Sequence, residues 1–185
     1  MTNQYLTFTL NDTIYAVEVL QVREVLEYAV PQELPCQDPI IAGLMRSRGQ
    51  SISVMNLRYK FGFPEVEPTK STKIIVLEVE SDSENAVNGQ MVYGAIADSV
   101  NEVLELDANA EEPPPEVGNS IASEFISGIS QINDKFIIIL NMNKVFSFED
   151  LHYDMVQKVD TPEVSSKETS EEGNTENIRE SEGDI

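Results

Sequence analysis

The sequence predicts a mainly β protein built from two small barrels of about five strands each, with short helices between some of the strands. Three observations support this fold class: stretches of strand length bounded by turn residues, an order of elements that occurs twice, and apolar runs no longer than 136–140. Two sets of five short strands cannot bury both faces of a flat sheet, and closure into barrels removes the exposed edges. A groove between the two barrels follows from their packing.

The first half of the chain is predicted to contain two hairpins separated by a short helix and an extended loop. The predicted elements are strands 5–10 and 14–17, a helix within 18–28, a loop over 32–38, strands 40–45 and 51–55 joined by a loop over 46–50, and a helix over 57–61. Asn11 and Asp12 form the turn of the first hairpin, and Asn56 caps the second helix. Apolar residues three positions apart favour a helix over 18–28 only slightly, because many residues there are β-branched.

The second half repeats this order of elements. Its predicted elements are strands 73–79, 91–97, 125–132 and 135–140, a polar turn over 82–88, an exposed proline-rich loop over 107–119, and a tight turn at 133–134. Six positions from Tyr15 to Glu27 match positions 78 residues later, and four from Gly43 to Phe61 match positions 85 residues later. Chance resemblance is the alternative, but the recurring element order favours an internal duplication whose second half begins near residue 70.

The chain is strongly acidic, with 33 acidic against 12 basic residues and a formal net charge of −21. Residues 160–185 hold nine of the acids and two of the bases, and periodic apolar residues end at about Val159. We therefore expect a folded domain over 1–158, followed by a disordered acidic tail over 159–185. A body this acidic repels phosphate backbones, so nucleic acids and anionic membrane surfaces are poor partners.

Residues suited to catalysis are scarce in this sequence. The single histidine, His152, has no second histidine or cysteines at ligand spacing, so a zinc site has little support. Cys36 cannot form an internal disulfide, and nothing places it beside His152 as a nucleophile. No glycine-rich phosphate loop, signal peptide or apolar run of the roughly 20 residues that span a membrane is present. We expect a cytoplasmic protein without a cofactor that binds other molecules rather than transforming them.

Three segments carry a resemblance to a known family. They are YLTFTL at 5–10 with YAVEV at 15–19 and VREV at 22–25, then IIAG at 40–43 with RG at 48–49 and VMNLR at 54–58, and finally YG at 93–94 with VNEVL at 100–104. Together they resemble CheW-type chemotaxis coupling proteins, from about Gln4 to Phe148. The resemblance implies two five-stranded, SH3-like barrels and no catalytic activity. It also implies two partners at membrane-associated receptor arrays: the cytoplasmic hairpin tip of chemoreceptors and the regulatory domain of the histidine kinase CheA.

The resemblance further implies which residues contact partners. Glu24 and Arg48 fall on a carboxylate and a guanidinium whose pairing the family uses to hold its receptor-facing surface, so we expect the two side chains to lie close together. An ordinary surface arginine at a hairpin turn is the alternative for Arg48. The other residues implied to line or shape the groove are Val22, Gly43, Gly94, Val100 and Val103. Glycine permits close backbone approach within a strand, and each valine is as consistent with core packing as with partner contact.

The sequence departs from the family pattern at three positions, which leaves the choice of partner open. Ser47 stands where many members have an apolar residue, Arg46 adds a second positive charge, and Ser53 occupies a place where proline is common. Two other interpretations remain. One is the coupling module of a CheV-like protein or another two-component pathway, and the other is a small-ligand-binding barrel protein.

Overall fold

A computed structural model describes residues 2–35, 38–84, 86–107 and 124–147 of the chain. In chain order, its ten strands and two short helices are β1 Thr2–Leu10, β2 Thr13–Glu18, β3 Val22–Glu27, β4 Ile41–Ser47, β5 Gln50–Asn56, α1 Leu57–Lys60, β6 Lys73–Glu80, β7 Gln90–Ala97, β8 Ser99–Asp107, β9 Ile126–Ile132, β10 Lys135–Leu140 and α2 Met142–Val145. The predicted mainly β fold is confirmed. The predictions outside the described residues concern the tail over 159–185, His152, Cys36 and most of the loop over 107–119.

The strands form two five-stranded sheets, and each sheet takes strands from both halves of the chain. The strand order is β8-β1-β2-β10-β9 in the first sheet and β3-β6-β7-β5-β4 in the second. Neighbouring strands are antiparallel, except that β2 beside β10 and β5 beside β7 are parallel. Strand β3 of the first half pairs with β6, and strand β8 of the second half pairs with β1. Each sheet thus combines two strands of one half with three of the other: β1 and β2 with β8, β9 and β10, and β6 and β7 with β3, β4 and β5.

The predicted helix within 18–28 is wrong. Its first residues form a single 3-10 turn, Val19–Gln21, and the residues that follow form strand β3. Burial alternates along β3, where Val22, Glu24 and Leu26 are more buried than the residues between them. The β-branched residues that weakened the helix prediction suit this pleated geometry, and pairing with β6 satisfies the backbone of β3. A partner strand far along the chain therefore decides the conformation of this segment.

Tight turns confirm two of the predicted hairpins, and a third connection is shorter than the loop predicted for it. Asn11 and Asp12 have positive φ angles of 49° and 62°, and residues 133–134 have the same two values, as a type I′ turn requires. In place of the predicted loop over 46–50, only Arg48 and Gly49 lie between β4 and β5, also with positive φ. The β4–β5 connection is therefore as tight as its counterpart between β9 and β10.

The two helices support the internal duplication. Asn56 accepts a hydrogen bond from the backbone N–H of Arg58, and Asn141 accepts one from the backbone N–H of Lys144. Each asparagine thereby caps the helix that follows it, and such a cap contributes about 1 kcal/mol to the stability of the folded state. The caps and the helices are 85 residues apart, which is the offset found in the sequence.

The largest apolar cluster is shared by both sheets. Its fully buried members include Phe8 of β1 and Leu77 of β6, and each such side chain contributes roughly 1.5–3 kcal/mol to folding. The opposite faces of the central strands are also covered, because Tyr5 of β1 and Ile74 of β6 are buried as well. Strand β1, predicted from its alternation to be half-buried, is therefore buried on both faces.

A buried arginine links the two sheets. The Arg58 side chain on α1 is only 8% exposed. Its guanidinium donates to the carboxylate of Asp98, which lies between β7 and β8, and to Oδ1 of Asn11 in the β1–β2 turn. Its Nε donates to the backbone carbonyl of Pro64 at 2.7 Å. Because Asn11 belongs to the first sheet and α1 follows β5 of the second, these bonds fix the two sheets to each other.

Replacing Arg58 with alanine should lower the free energy of unfolding by about 2–4 kcal/mol, because Asp98 and the Pro64 carbonyl lose their donor in a largely buried place. Urea unfolding followed by circular dichroism measures the change. Arg46→Ala removes an exposed arginine from β4 and should change stability by less than about 0.5 kcal/mol. Equal losses in the two variants would contradict the linking role of Arg58.

Candidate interaction site

Glu24 connects the two edges of the second sheet. It lies on β3 at one end of the strand order, whereas Ser47 is the last residue of β4 at the other end. Ser47 Oγ donates a hydrogen bond to Oε1 of Glu24, and Nε of Arg48 lies 3.4 Å from Oε2. These side-chain contacts thus join the two outer strands, β3 and β4, as closure into the predicted barrel requires. The predicted proximity of Glu24 and Arg48 is confirmed, whereas the hydrogen bond from Ser47 was not predicted.

Arg48 is oriented by the strand edge but remains open to solvent. Besides the contact with Glu24, its Nη2 donates to the backbone carbonyl of Arg23 at 3.4 Å. The Arg48 side chain is 63% exposed, against 23% for Glu24. A pair this exposed contributes little to stability, so its value lies in orientation. The guanidinium keeps donors free for a carboxylate or a carbonyl of another molecule.

The hydrogen bond from Ser47 is the main reason that the pKa of Glu24 lies below its ordinary value. Partial burial opposes this lowering, while the hydrogen bond and charge of Arg48 and the charge of Arg23 add to it. Ionised Glu24 therefore stabilises the folded state above its unfolded-state pKa, and this contribution is lost as the pH falls through the lower, folded-state pKa. At neutral pH the carboxylate is charged and both of its oxygens are engaged.

The other half of the chain does not carry the same group of residues. Under the offsets of the internal repeat, Glu24 corresponds to Glu102, whereas Ser47 and Arg48 correspond to Ile132 and Asn133. An isoleucine side chain donates no hydrogen bond, and asparagine carries no charge. The duplication alone therefore does not account for this contact, and it distinguishes the second sheet from the first.

Gly43 allows a close approach inside the protein. Its φ is +141°, and a Cβ atom there would lie 2.3 Å from the backbone oxygen of Gln32 and 3.1 Å from Cβ of Pro31. Gln32 pairs with Leu44 through two backbone hydrogen bonds of 2.8 Å, which hold the proline-rich segment against β4. Gly43 is buried beneath that segment. Its position explains the glycine without any partner contact.

Gly94 lies in a buried part of the second sheet. A Cβ atom there would lie 3.0 Å from Cγ2 of Ile74 and 3.1 Å from Cγ2 of Val54. The corresponding residue of the first sheet is Ala16, which is fully buried. Gly94 thus makes room for two branched side chains, and neither of the two predicted glycines lies on the surface.

The predicted valines divide into two sets. Val22 on β3 and Val100 on β8 are half-buried and pack against the cluster shared by the sheets. Val103 on β8 is 50% exposed, and its counterpart 78 residues earlier, Val25, is 39% exposed. Val25 was not among the predicted site residues, although the repeat offset points to it. Strands β3 and β8, each at one end of its sheet, therefore present one valine each to solvent.

The described part of the chain shows neither a helix that could cross a membrane nor a cluster of side chains that could hold a metal ion. None of its helices is long and apolar enough to cross a bilayer. Within the same residues, no three or more His, Cys, Asp or Glu side chains are grouped so that they could hold a metal ion.

Gly43→Ala should lower the free energy of unfolding by about 3–5 kcal/mol, because the new methyl group adds backbone strain and a clash with Gln32. Gly62→Ala is the control, since Gly62 also has a positive φ of +72° but nothing within 4 Å of the added Cβ. That control should lose about 1–2 kcal/mol. Urea unfolding compares the two variants. Equal stability losses would mean that the approach of Gln32 does not require glycine.

Ser47→Ala should raise the pKa of Glu24 more than Arg48→Ala does, because the hydrogen bond from Ser47 is the largest cause of the lowered value. Titration of the Glu24 side-chain carboxyl carbon by NMR measures both shifts in the intact protein. A larger rise in Arg48→Ala would show that the guanidinium, not the hydroxyl, holds the carboxylate in its charged form.

Comparisons with known proteins agree with this architecture. The protein-family model of the CheW-like domain matches residues 4–150 of the sequence. The chemotaxis protein CheW of Klebsiella aerogenes is 28% identical over 148 residues, with 80% of this chain and 84% of that protein covered, and CheW of Bacillus subtilis is 26% identical over 144 residues, with 78% and 86% covered. The crystal structure of the scaffolding protein TtCheW from Thermoanaerobacter tengcongensis matches with a TM-score of 0.68 at 30% identity, covering 80% of this chain and 89% of that one. With most of its length matched, the chain belongs to the CheW-like family of chemotaxis scaffold proteins.

Proposed function

We propose that this protein is a non-enzymatic adaptor that couples the cytoplasmic tips of chemoreceptors to the histidine kinase CheA. The names of the relatives and of the matching crystal structure support a scaffold role in chemotaxis. The observation that carries the proposal is the exposed guanidinium of Arg48, which Glu24 orients at the edge of the second sheet. The adaptor acts in the cytoplasm and is recruited to receptor arrays at the membrane.

The proposed partner-binding surface combines the Glu24–Arg48 pair with exposed apolar residues of the outer strands β3 and β8. Val25 and Val103 offer exposed apolar area that a partner helix removes from water, at roughly 25 cal/mol per Å². Arg48 adds direction, because a guanidinium binds a carboxylate or carbonyl in a fixed geometry. The other site residues, which set the positions of the strands that carry this surface, are Val22, Gly43, Gly94 and Val100.

Two sheets give the adaptor two places to bind. An apolar stripe of the receptor hairpin enters the groove between the barrels, while strand-end loops meet the regulatory domain of the kinase. Each contact is weak alone. Repetition across an array raises the effective concentration of each partner, so the assembly is held more tightly than any single contact.

The departures from the family pattern lie in the β4–β5 hairpin, which carries Arg48 in its turn. Ser47 is 7% exposed and donates to Glu24, so a hydrogen bond replaces the apolar packing that many members have at this position. Arg46 is exposed one residue earlier on β4 and adds charge to the same hairpin. We infer that Ser47, through its hydrogen bond to Glu24, adapts this surface to its own receptor and kinase.

Co-sedimentation with receptor cytoplasmic fragments and CheA tests the adaptor function. The wild-type protein should pellet with both, and Arg48→Ala should bind the receptor fragments about tenfold more weakly, as expected for an arginine at the centre of an interface. Glu24→Ala should weaken binding in the same direction, since it removes the group that orients Arg48.

Arg46→Ala is the matched control, because it removes the same charge from the same hairpin. It should bind within about twofold of wild type if charge alone is not what the partner recognises. Absence of binding by the folded wild-type protein would remove the adaptor proposal. Equal weakening by Arg46→Ala and Arg48→Ala would remove the specific role given to Arg48.

A further inference from the structure

The internal repeat provides two copies of one contact region between the sheets, one beside α1 and the other beside α2. We call each copy a junction, and the two junctions differ in the side chains that occupy them. In the copy at α1, the guanidinium of Arg58 is buried against Asp98 and Asn11. The carboxylate of Asp98 also accepts a hydrogen bond of 2.9 Å from the backbone N–H of Asn11. In this copy, which we call the closed copy, an arginine side chain therefore occupies the space between the sheets.

In the copy at α2, the short helix and its asparagine cap are kept but the arginine is missing. The offset of 85 places Asn143 where Arg58 stands, and the offset of 78 places Leu20 where Asp98 stands. Oδ1 of Asn143 accepts from the backbone N–H of Glu80 at 3.2 Å and from Nε2 of Gln21 at 3.2 Å. Asparagine therefore takes over the acceptor role of Asp98, and its shorter side chain leaves the remaining space open.

The open copy is a groove of about 350 Å³. The lining residues that define its chemistry are Glu18, Leu20, Gln21, Glu78, Glu80 and Asn143. Glu78 is neutralised by Arg23 at 2.9 Å, whereas Glu18 and Glu80 are exposed carboxylates that form no ion pair with any residue the structure describes. Oε2 of Glu80 accepts a long hydrogen bond of 3.5 Å from Nδ2 of Asn143, and its other oxygen can accept from a ligand. Leu20 is 94% exposed at the rim. A cation with an apolar stem matches this combination of carboxylates, side-chain amides and an exposed leucine.

We propose that this groove binds an arginine side chain from a basic segment of a partner protein. The guanidinium donates to the carboxylates of Glu18 and Glu80, as Arg58 does to Asp98 in the closed copy, and its methylene groups cover Leu20. The partner thereby supplies in trans the group that the first copy of the junction holds in cis.

Charge argues that the occupant comes from a different protein. Residues 160–185 hold nine acids and two bases, so that segment is repelled by the carboxylates of the groove. A second copy of the chain carries a net charge of −21 and is repelled as well. The lining residues include neither Glu24 nor Arg48, so the proposal does not depend on the function assigned to that pair.

NMR titration of the full-length, ¹⁵N-labelled protein with N-acetyl-arginine methylamide tests the groove directly. The backbone resonances of Leu20 and Gln21 and the side-chain amide of Asn143 should shift, with a dissociation constant on the order of 1 mM. N-acetyl-citrulline methylamide has nearly the same shape without the charge and should leave these resonances in place. Equal shifts with both compounds, or none with the arginine compound, would overturn the proposal.

Two variants locate the site of binding. Glu80→Gln removes one groove carboxylate and should weaken binding about threefold to fivefold, whereas Glu67→Gln makes the same change on an exposed residue elsewhere and should have no effect. Asn143→Arg should fill the groove from within and abolish binding. Wild-type affinity in both Glu80→Gln and Asn143→Arg would place the arginine elsewhere and contradict the proposal.

The source of the arginine is tested in the full chain without any added compound. Replacing Lys158, Lys167 and Arg179 together with glutamine should leave the groove resonances unchanged, because these residues are not the expected occupants. Shifts at Leu20 and Asn143 in that variant would mean that the chain fills its own groove, which would overturn the assignment to a partner.

Discussion

The exchange of strands between the two halves is the constraint on which the rest of this structure depends. Strand β3 finds its hydrogen-bonding partner in β6, and β8 finds its partner in β1, so neither sheet exists without both halves. The same exchange sends apolar side chains of both sheets into one shared cluster. It also places Glu24 on an outer strand, where it reaches Ser47 at the opposite edge and orients Arg48.

Local features of the sequence predicted most of the fold, and long-range pairing accounts for what they missed. The turn at Asn11–Asp12 and the cap at Asn56 depend on neighbouring residues, and both were found. The segment 18–28 was misassigned because its valine spacing fits a short helix almost as well as a strand, and only β6 decides between them. The hydrogen bond from Ser47 to Glu24 was not predicted for the same reason. It joins the two outer strands of the second sheet, and the order of the strands along the chain does not show that these two meet.

The two halves of the chain show how one backbone supports different surfaces. The tight turn after β4 carries Arg48, whereas the equivalent turn after β9 carries Asn133 in a similar backbone conformation. At the helices, a buried arginine in one half corresponds to Asn143 in the other. The core and the turns keep the repeated geometry, so exposed side chains in each half are free to take on separate binding roles.

The shared sheets also limit how this protein can be divided or recombined. A chain cut between α1 and β6 yields two pieces, each holding five strands but neither holding a complete sheet. Each piece leaves unpaired strand edges and its own part of the apolar cluster in water until the other piece arrives. Reassembly from the two pieces is therefore a bimolecular folding reaction, and one half cannot be inherited, transplanted or lost as an independent module.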